Sequence, residues 1–166
     1  MSLNLVETVD VGAGGVSTIT FTNIPQTGID IHLTLSGRDG SSSGLAYWKI
    51  NGLTTNYARL SITADVNSVV ESNAGDRLMG DTASSSYDSS IFGNTVVKLA
   101  NYTGSQSLKS ALVDSTSGNY NSSTFIVRMS GLRATTSDPV TSIELTPQGT
   151  SFAQFTSASL YVTTTD

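Results

Sequence analysis

The chain has 166 residues, a formal net charge of −5 and only 13% charged residues, while 27 serines and 23 threonines fill the places charges usually take. That length suits one domain with one hydrophobic core. Eight scattered basic residues exclude the clustered cationic surface that a nucleic-acid phosphate backbone requires. No apolar run approaches the roughly 20 residues that cross a bilayer, no basic-then-apolar leader opens the chain, and without cysteine there is neither a disulfide nor a thiolate zinc site. Serine, threonine and glycine disfavour helix, and threonine fits a pleated, half-exposed surface, so the composition is that of an all-β protein.

Leu3, Leu5 and Val9 share one phase and predict an N-terminal edge strand and turn over residues 3–15, free to pair with a partner chain. The run Gly12-Ala13-Gly14-Gly15 leads into the strand Thr18-Ile19-Thr20-Phe21, which makes it a turn and not a phosphate cradle, since a cradle opens a helix. Alternation is clearest in Ile29-Asp30-Ile31-His32-Leu33-Thr34-Leu35-Ser36, four aliphatics in one phase and polar residues in the other. Further alternating runs are Ala46, Trp48 and Ile50; Ala58, Leu60 and Ile62; Phe125, Val127 and Met129; Ile143 and Leu145; and Ala158, Leu160 and Val162. In each, the apolar phase is expected to face the core. Thr95–Tyr102 and Leu108–Ser115 read as two more strands, whereas residues 65–90 read as a long irregular loop with one short helical turn near Ser68–Glu71.

Turn chemistry separates these runs at Asn23–Gly28, Arg38–Gly44, Asn51-Gly52, Ser117-Gly118-Asn119 and Pro147-Gln148-Gly149. About nine or ten strands divided in this way, with no amphipathic helix and no internal repeat, predict a single antiparallel β-sandwich domain of jelly-roll type over residues 1–166.

Candidate chemistry is sparse. His32, the sole histidine, sits on the polar phase of its strand, where a solvated imidazole is the ordinary outcome and a general base would need both a nucleophile and an orienting carboxylate. The 13 acidic residues lie mostly in turn-like sequence, and no facing pair suited to glycoside hydrolysis stands out. Asp65-Val66-Asn67 and Asp76–Asp81 offer oxygen ligands at loop spacing but lack the order of a calcium-binding loop. No catalytic residue, cofactor or metal is therefore expected. The better binding candidates are Tyr87 and Tyr120, aromatics in polar loops that can stack on sugars or anchor protein contacts; Trp48, alternating with Ala46 and Ile50, reads as core.

The run Ser17-Thr18-Ile19-Thr20-Phe21-Thr22-Asn23-Ile24-Pro25-Gln26-Thr27 resembles the opening of a group of tailed-bacteriophage virion proteins. Trp48-Lys49-Ile50-Asn51-Gly52, Asn56-Tyr57-Ala58-Arg59-Leu60, Phe92-Gly93-Asn94, Asn101-Tyr102 and the ending Phe152–Tyr161 follow in the expected order, so the resemblance spans Val16 to Val162. Members of that group often carry an acid just after the Asn-Gly turn, where this chain has Leu53. The resemblance implies a jelly-roll structural module on the virion. In the first expectation it is a decoration or cement protein on the capsid exterior, a homotrimer bridging neighbouring copies of the major capsid protein without catalysis. The alternative is a tail-fibre or receptor-binding head that contacts host surface glycans. The stemless chain favours decoration, and the acidic surface keeps such a protein off packaged DNA.

Overall fold

The computed structural model describes residues 1–41, 44–55, 57–65, 68–72, 78–119 and 125–165. Among these residues there are twelve strands and no helix: β1 (Ser2–Asp10), β2 (Ile19–Phe21), β3 (Ile31–Gly37), β4 (Leu45–Ile50), β5 (Tyr57–Asp65), β6 (Val69–Ser72), β7 (Leu78–Asp81), β8 (Gly93–Leu99), β9 (Ser110–Gly118), β10 (Phe125–Ala134), β11 (Ile143–Pro147) and β12 (Ser157–Thr164). They form an antiparallel β-sandwich. The larger sheet has the order β1-β12-β3-β8-β9-β10-β5-β6 and the smaller the order β2-β11-β4-β7. The first strand thus lies beside the last and the second beside the penultimate. The pairs β5–β6 and β9–β10 extend the larger sheet beyond β8.

The core sits where the alternating aliphatics of the two sheets meet. Ile31, Leu33 and Leu35 of β3, Leu160 and Val162 of β12, and Val97 and Leu99 of β8 pack in one cluster with Ile19 and Phe21 of β2, Trp48 and Ile50 of β4, and Leu145 of β11. Each side chain so removed from water contributes about 1.5–3 kcal/mol. The joints are pinned by polar side chains. Tyr102, fully buried, donates its hydroxyl to the carbonyl of Pro25 and accepts from the Gly28 N–H at 3.3 Å. Asn51, at φ 50°, heads a tight turn with Gly52; its side chain donates to the Pro139 carbonyl at 2.8 Å and accepts the Thr141 N–H at 2.9 Å. Leu53, just after this turn, packs partly buried against the core.

Three expectations are corrected. Residues 65–90 are not one irregular loop: Val69–Ser72 pairs with β5 where a helical turn was expected, and Leu78–Asp81 pairs with β4. These strands lack clean alternation, so backbone pairing holds them without a sequence signature. Val9 does not share a face with Leu3 and Leu5. The register between β1 and β12 shifts between Leu5 and Glu7; Leu5 is opposite outward-facing Tyr161, while Val9 is opposite buried Ala158. One extra residue in a strand reverses every side chain beyond it.

The third correction concerns β5 and β10. Leu60, Ile62, Phe125, Val127 and Met129 point away from the core and are exposed, while Ser61, Ser130 and Leu132 on the opposite phase are buried. The apolar phase of these two strands is turned outward.

Candidate functional site

The outward turn of β5 and β10 has a local cause. On the inner side of the larger sheet, Asp81 of β7 is 2% exposed and takes Arg128 of β10 in a two-pronged pair, Nε to Oδ2 at 3.0 Å and Nη2 to Oδ1 at 3.2 Å. Ser115 of β9 donates its hydroxyl to the same Oδ2 at 2.8 Å, and Ser117 donates to the Thr82 carbonyl at 3.0 Å. An arginine committed inward fixes the phase of β10, and pairing with β10 fixes that of β5.

Strand register lays out the opposite, outer face in lateral rows. One row reads Leu5, Tyr161, His32, Lys98, Leu112, Gly131, Leu60. The next reads Thr8, Ser159, Thr34, Val96, Asp114, Met129, Ile62, and a third reads Asp10, Ser157, Ser36, Asn94, Thr116, Val127, Ala64, Val69. Across the rows the chemistry shifts from one side of the sheet to the other. Over β1, β12 and β3 the face is mostly hydroxyl and other polar groups; β8 and β9 mix Val96 and Leu112 with Lys98, Asn94, Asp114 and Thr116, and over β10 and β5 aliphatic side chains dominate. Leu60, Ile62, Leu112, Phe125, Val127 and Met129 are each 41–54% exposed, and they are neighbours, not scattered. Contiguous exposed apolar surface of this kind marks contact sites.

Lys98, Asp114 and Arg133 project from the same face and are exposed. Among the described residues none of the three enters an ion pair, unlike Lys49 with Glu144 and Arg128 with Asp81. Two shallow depressions flank Asp114 and Lys98. One of about 420 Å³ lies over Asn94, Val96, Asp114, Val127 and Met129, and one of about 450 Å³ over Asp30, His32, Lys98, Ser110 and Leu112.

Of the residues singled out in the sequence, Leu3 and Leu5 lie exposed on the outer face at the β1 edge, far along the row from the aliphatic half, and Val9 turns inward. Tyr87 is half-buried in the loop after β7. That loop is held by Arg38, whose Nη1 donates to the carbonyls of Asp88 at 2.6 Å and Ile91 at 3.1 Å, and whose Nη2 donates to those of Ser85 at 3.1 Å and Tyr87 at 2.9 Å. Tyr120 lies outside the described residues. His32 stands in the first row between Tyr161 and Lys98, on the polar phase expected for it.

The acidic candidates are engaged locally. Asp65 Oδ1, at the end of β5, accepts the Ser68 N–H at 2.7 Å, and Asp39, fully buried, accepts from the Ser41 and Gly149 N–H groups at 2.8 Å and 3.0 Å. Val66, Asn67 and Asp76 lie outside the described residues. Among the described residues no three His, Asp or Glu side chains gather in a metal-binding group. The sequence shows the aliphatics of the outer face plainly but places them in the core. The one signal pointing the other way is Arg128 and Ser130 on the opposite phase, and its meaning depends on Asp81, 47 residues from Arg128.

Comparison with known proteins finds no matching family model, no matching curated protein and no matching solved structure.

Proposed function

We propose that the protein is a non-catalytic structural module of a tailed-bacteriophage virion, a decoration protein that binds the outside of the capsid and stabilises it through protein–protein contact. The observation that carries this reading is the aliphatic half of the outer face: a Ser/Thr-rich chain with a low charge content places a continuous group of large apolar side chains where water reaches them. The strand order supports it. The set β1-β12-β3-β8 set against β2-β11-β4-β7 has the nested first-with-last pairing of a jelly roll, the fold that the sequence resemblance implies. Contact energy from modest interfaces, repeated over many copies on a shell, suffices for stabilisation.

The decoration reading stands ahead of glycan recognition because five of the six large apolar side chains exposed on this face are aliphatic, Phe125 being the one ring among them, and Tyr87 is half-buried, whereas sugar recognition relies on stacking against aromatic rings. The test is addition of the purified protein to shells lacking it, followed by co-sedimentation and measurement of the disruption temperature. Saturable binding at hundreds of copies per particle with a raised disruption temperature is the expected result. Absence of shell affinity, with saturable binding to a host polysaccharide instead, overturns it.

A further inference from the structure

We infer that the depression over β9 is the seat of a cationic side chain, an arginine or lysine of the surface that covers the aliphatic half of the outer face, and that Asp114 is its counter-charge. The inference rests on the reading above, that this face is a protein contact, and names the chemistry the contacting surface carries.

Asp114 is out of keeping with its surroundings. In its row it stands between Val96 of β8 and Met129 of β10, with Ile62 of β5 beyond. Asp30 on the same face accepts the Asn101 N–H at 3.0 Å, whereas Asp114 is exposed and enters no ion pair among the described residues. Water solvates it while the face is open. A surface that dries Val96, Val127 and Met129 also strips the water from the carboxylate between them, and a charge buried without a counter-charge opposes binding. The contact therefore needs a cation at this point.

Lys98 does not supply it. It lies diagonal to Asp114 on the adjacent strand, but it borders the other depression together with His32 and Leu112. Lys98 adjoins the polar half of the face, and Arg133 lies near the end of β10. Both have long stems that can lie on apolar surface while the charged head stays in water. The short side chain of Asp114 has no such reach. Of these three charges, Asp114 is the one a covering surface must meet.

The shape suits a charge on an aliphatic stem. The depression of about 420 Å³ is flanked by Val96 on one side and by Val127 and Met129 on the other, with Asp114 in its floor. Strands about 4.8 Å apart leave about 10 Å between β8 and β10, room for one extended side chain above the short Asp114 and Thr116 of β9. The methylenes of an arginine or lysine lie against the valines and the methionine, and the head meets the carboxylate.

The test has two arms, with circular dichroism verifying the fold of each variant. In the first, isotope-labelled protein is titrated with n-butylguanidinium and with its neutral isostere n-butylurea, and the methyl resonances of Val96, Val127 and Met129 are followed. The cation is expected to bind saturably with a Kd on the order of 10 mM, about fivefold more tightly than the urea, and Asp114→Asn is expected to remove the difference. Equal binding of the two probes by the wild type, or shifts centred elsewhere, overturns the inference. In the second arm, shell binding is expected to weaken by about tenfold or more in Asp114→Asn and further in Asp114→Lys. Lys98→Met is expected to stay within about threefold of wild type. Shell binding that is indifferent to Asp114→Lys, or that suffers as much from Lys98→Met as from Asp114→Asn, overturns the inference and leaves the decoration reading standing. A wild type that selects the cation but has no affinity for shells overturns the decoration reading and leaves the seat standing.

Discussion

Arg128 and Asp81 are a buried ion pair that decides which way two strands face. The guanidinium grips both carboxylate oxygens, and the two side chains are 13% and 2% exposed. With Arg128 inward, Val127 and Met129 must point outward. The pair therefore links the interior of the sandwich to the chemistry of its outer face.

Breaking that pair from one side strands the other charge. Asp81→Ala is expected to destabilise the fold by about 3–5 kcal/mol, because Arg128 then lies in a low-dielectric site without its carboxylate and Ser115 loses its acceptor. The double variant Asp81→Leu with Arg128→Met removes both charges and is expected to lie closer to wild type than the single one. Urea unfolding of the three proteins measures the difference. A double variant as unstable as Asp81→Ala would show that the pair's geometry, not the uncompensated charge, carries the effect.

Much of the fold was legible because it depends on local alternation. Ile31, Leu33 and Leu35 appear in the sequence as they do in the structure, one face buried and one wet, and the Asn51-Gly52 turn follows from two residues tolerant of positive φ. What was not legible depends on distant partners. Nothing within β1 announces that its register slips after Leu5, and β7 carries no periodic pattern, since pairing with β4 is what makes it a strand. For the same reason the outer face was read inside out. Phe125, Val127 and Met129 look like a core stripe until Asp81 arrives from another part of the chain and claims Arg128.

Arg38 holds the loop between β7 and β8 through four backbone carbonyls, a use for which the planar five-donor fork is suited and a lysine ammonium is not. Arg38→Lys is expected to cost about 2–3 kcal/mol, and Arg38→Met somewhat more, with the loss concentrated in residues 85–91. Hydrogen exchange or limited proteolysis should show that segment opening first while β3 and β12 stay protected. Uniform loss of protection over the chain would mean that Arg38 supports the core and not the loop.

Two strand glycines separate close approach from free surface. A Cβ at Gly93 would lie 2.7 Å from backbone atoms of Thr82 and 2.9 Å from the Ala83 nitrogen, which is itself bonded to the Gly37 carbonyl. Gly93→Ala is expected to cost roughly 2–4 kcal/mol through overpacking, while Gly131→Ala, in open space, is expected to be neutral or to stabilise by up to about 1 kcal/mol. Thermal unfolding of the two variants side by side gives the comparison. Equal losses would contradict the close approach of Gly93 to residues 82–83.

Alkaline unfolding reports on two buried phenols and one buried ammonium that act in opposite senses. Burial raises Tyr57 and Tyr102 above the ordinary value of 10.0, with the Ile50 N–H on Tyr57 and the Gly28 N–H on Tyr102 pulling back only in part. Above pH 10 the unfolded chain releases these protons while the folded chain keeps them, so stability falls as pH rises through that window. Lys109 is shifted the other way: burial lowers it below 10.5, with Asp138 opposing, while its ammonium donates to the carbonyls of Asn101 and Gly104. Between its folded value and 10.5 the unfolded chain binds more protons, so this group alone makes stability rise with pH. Urea titrations from pH 8 to 11 on wild type, Tyr102→Phe and Lys109→Met separate them. Tyr102→Phe is expected to be less stable at pH 8 but to decline less steeply above pH 10, and Lys109→Met to decline more steeply below 10.5. Parallel curves for all three would show that neither group is desolvated in the folded state.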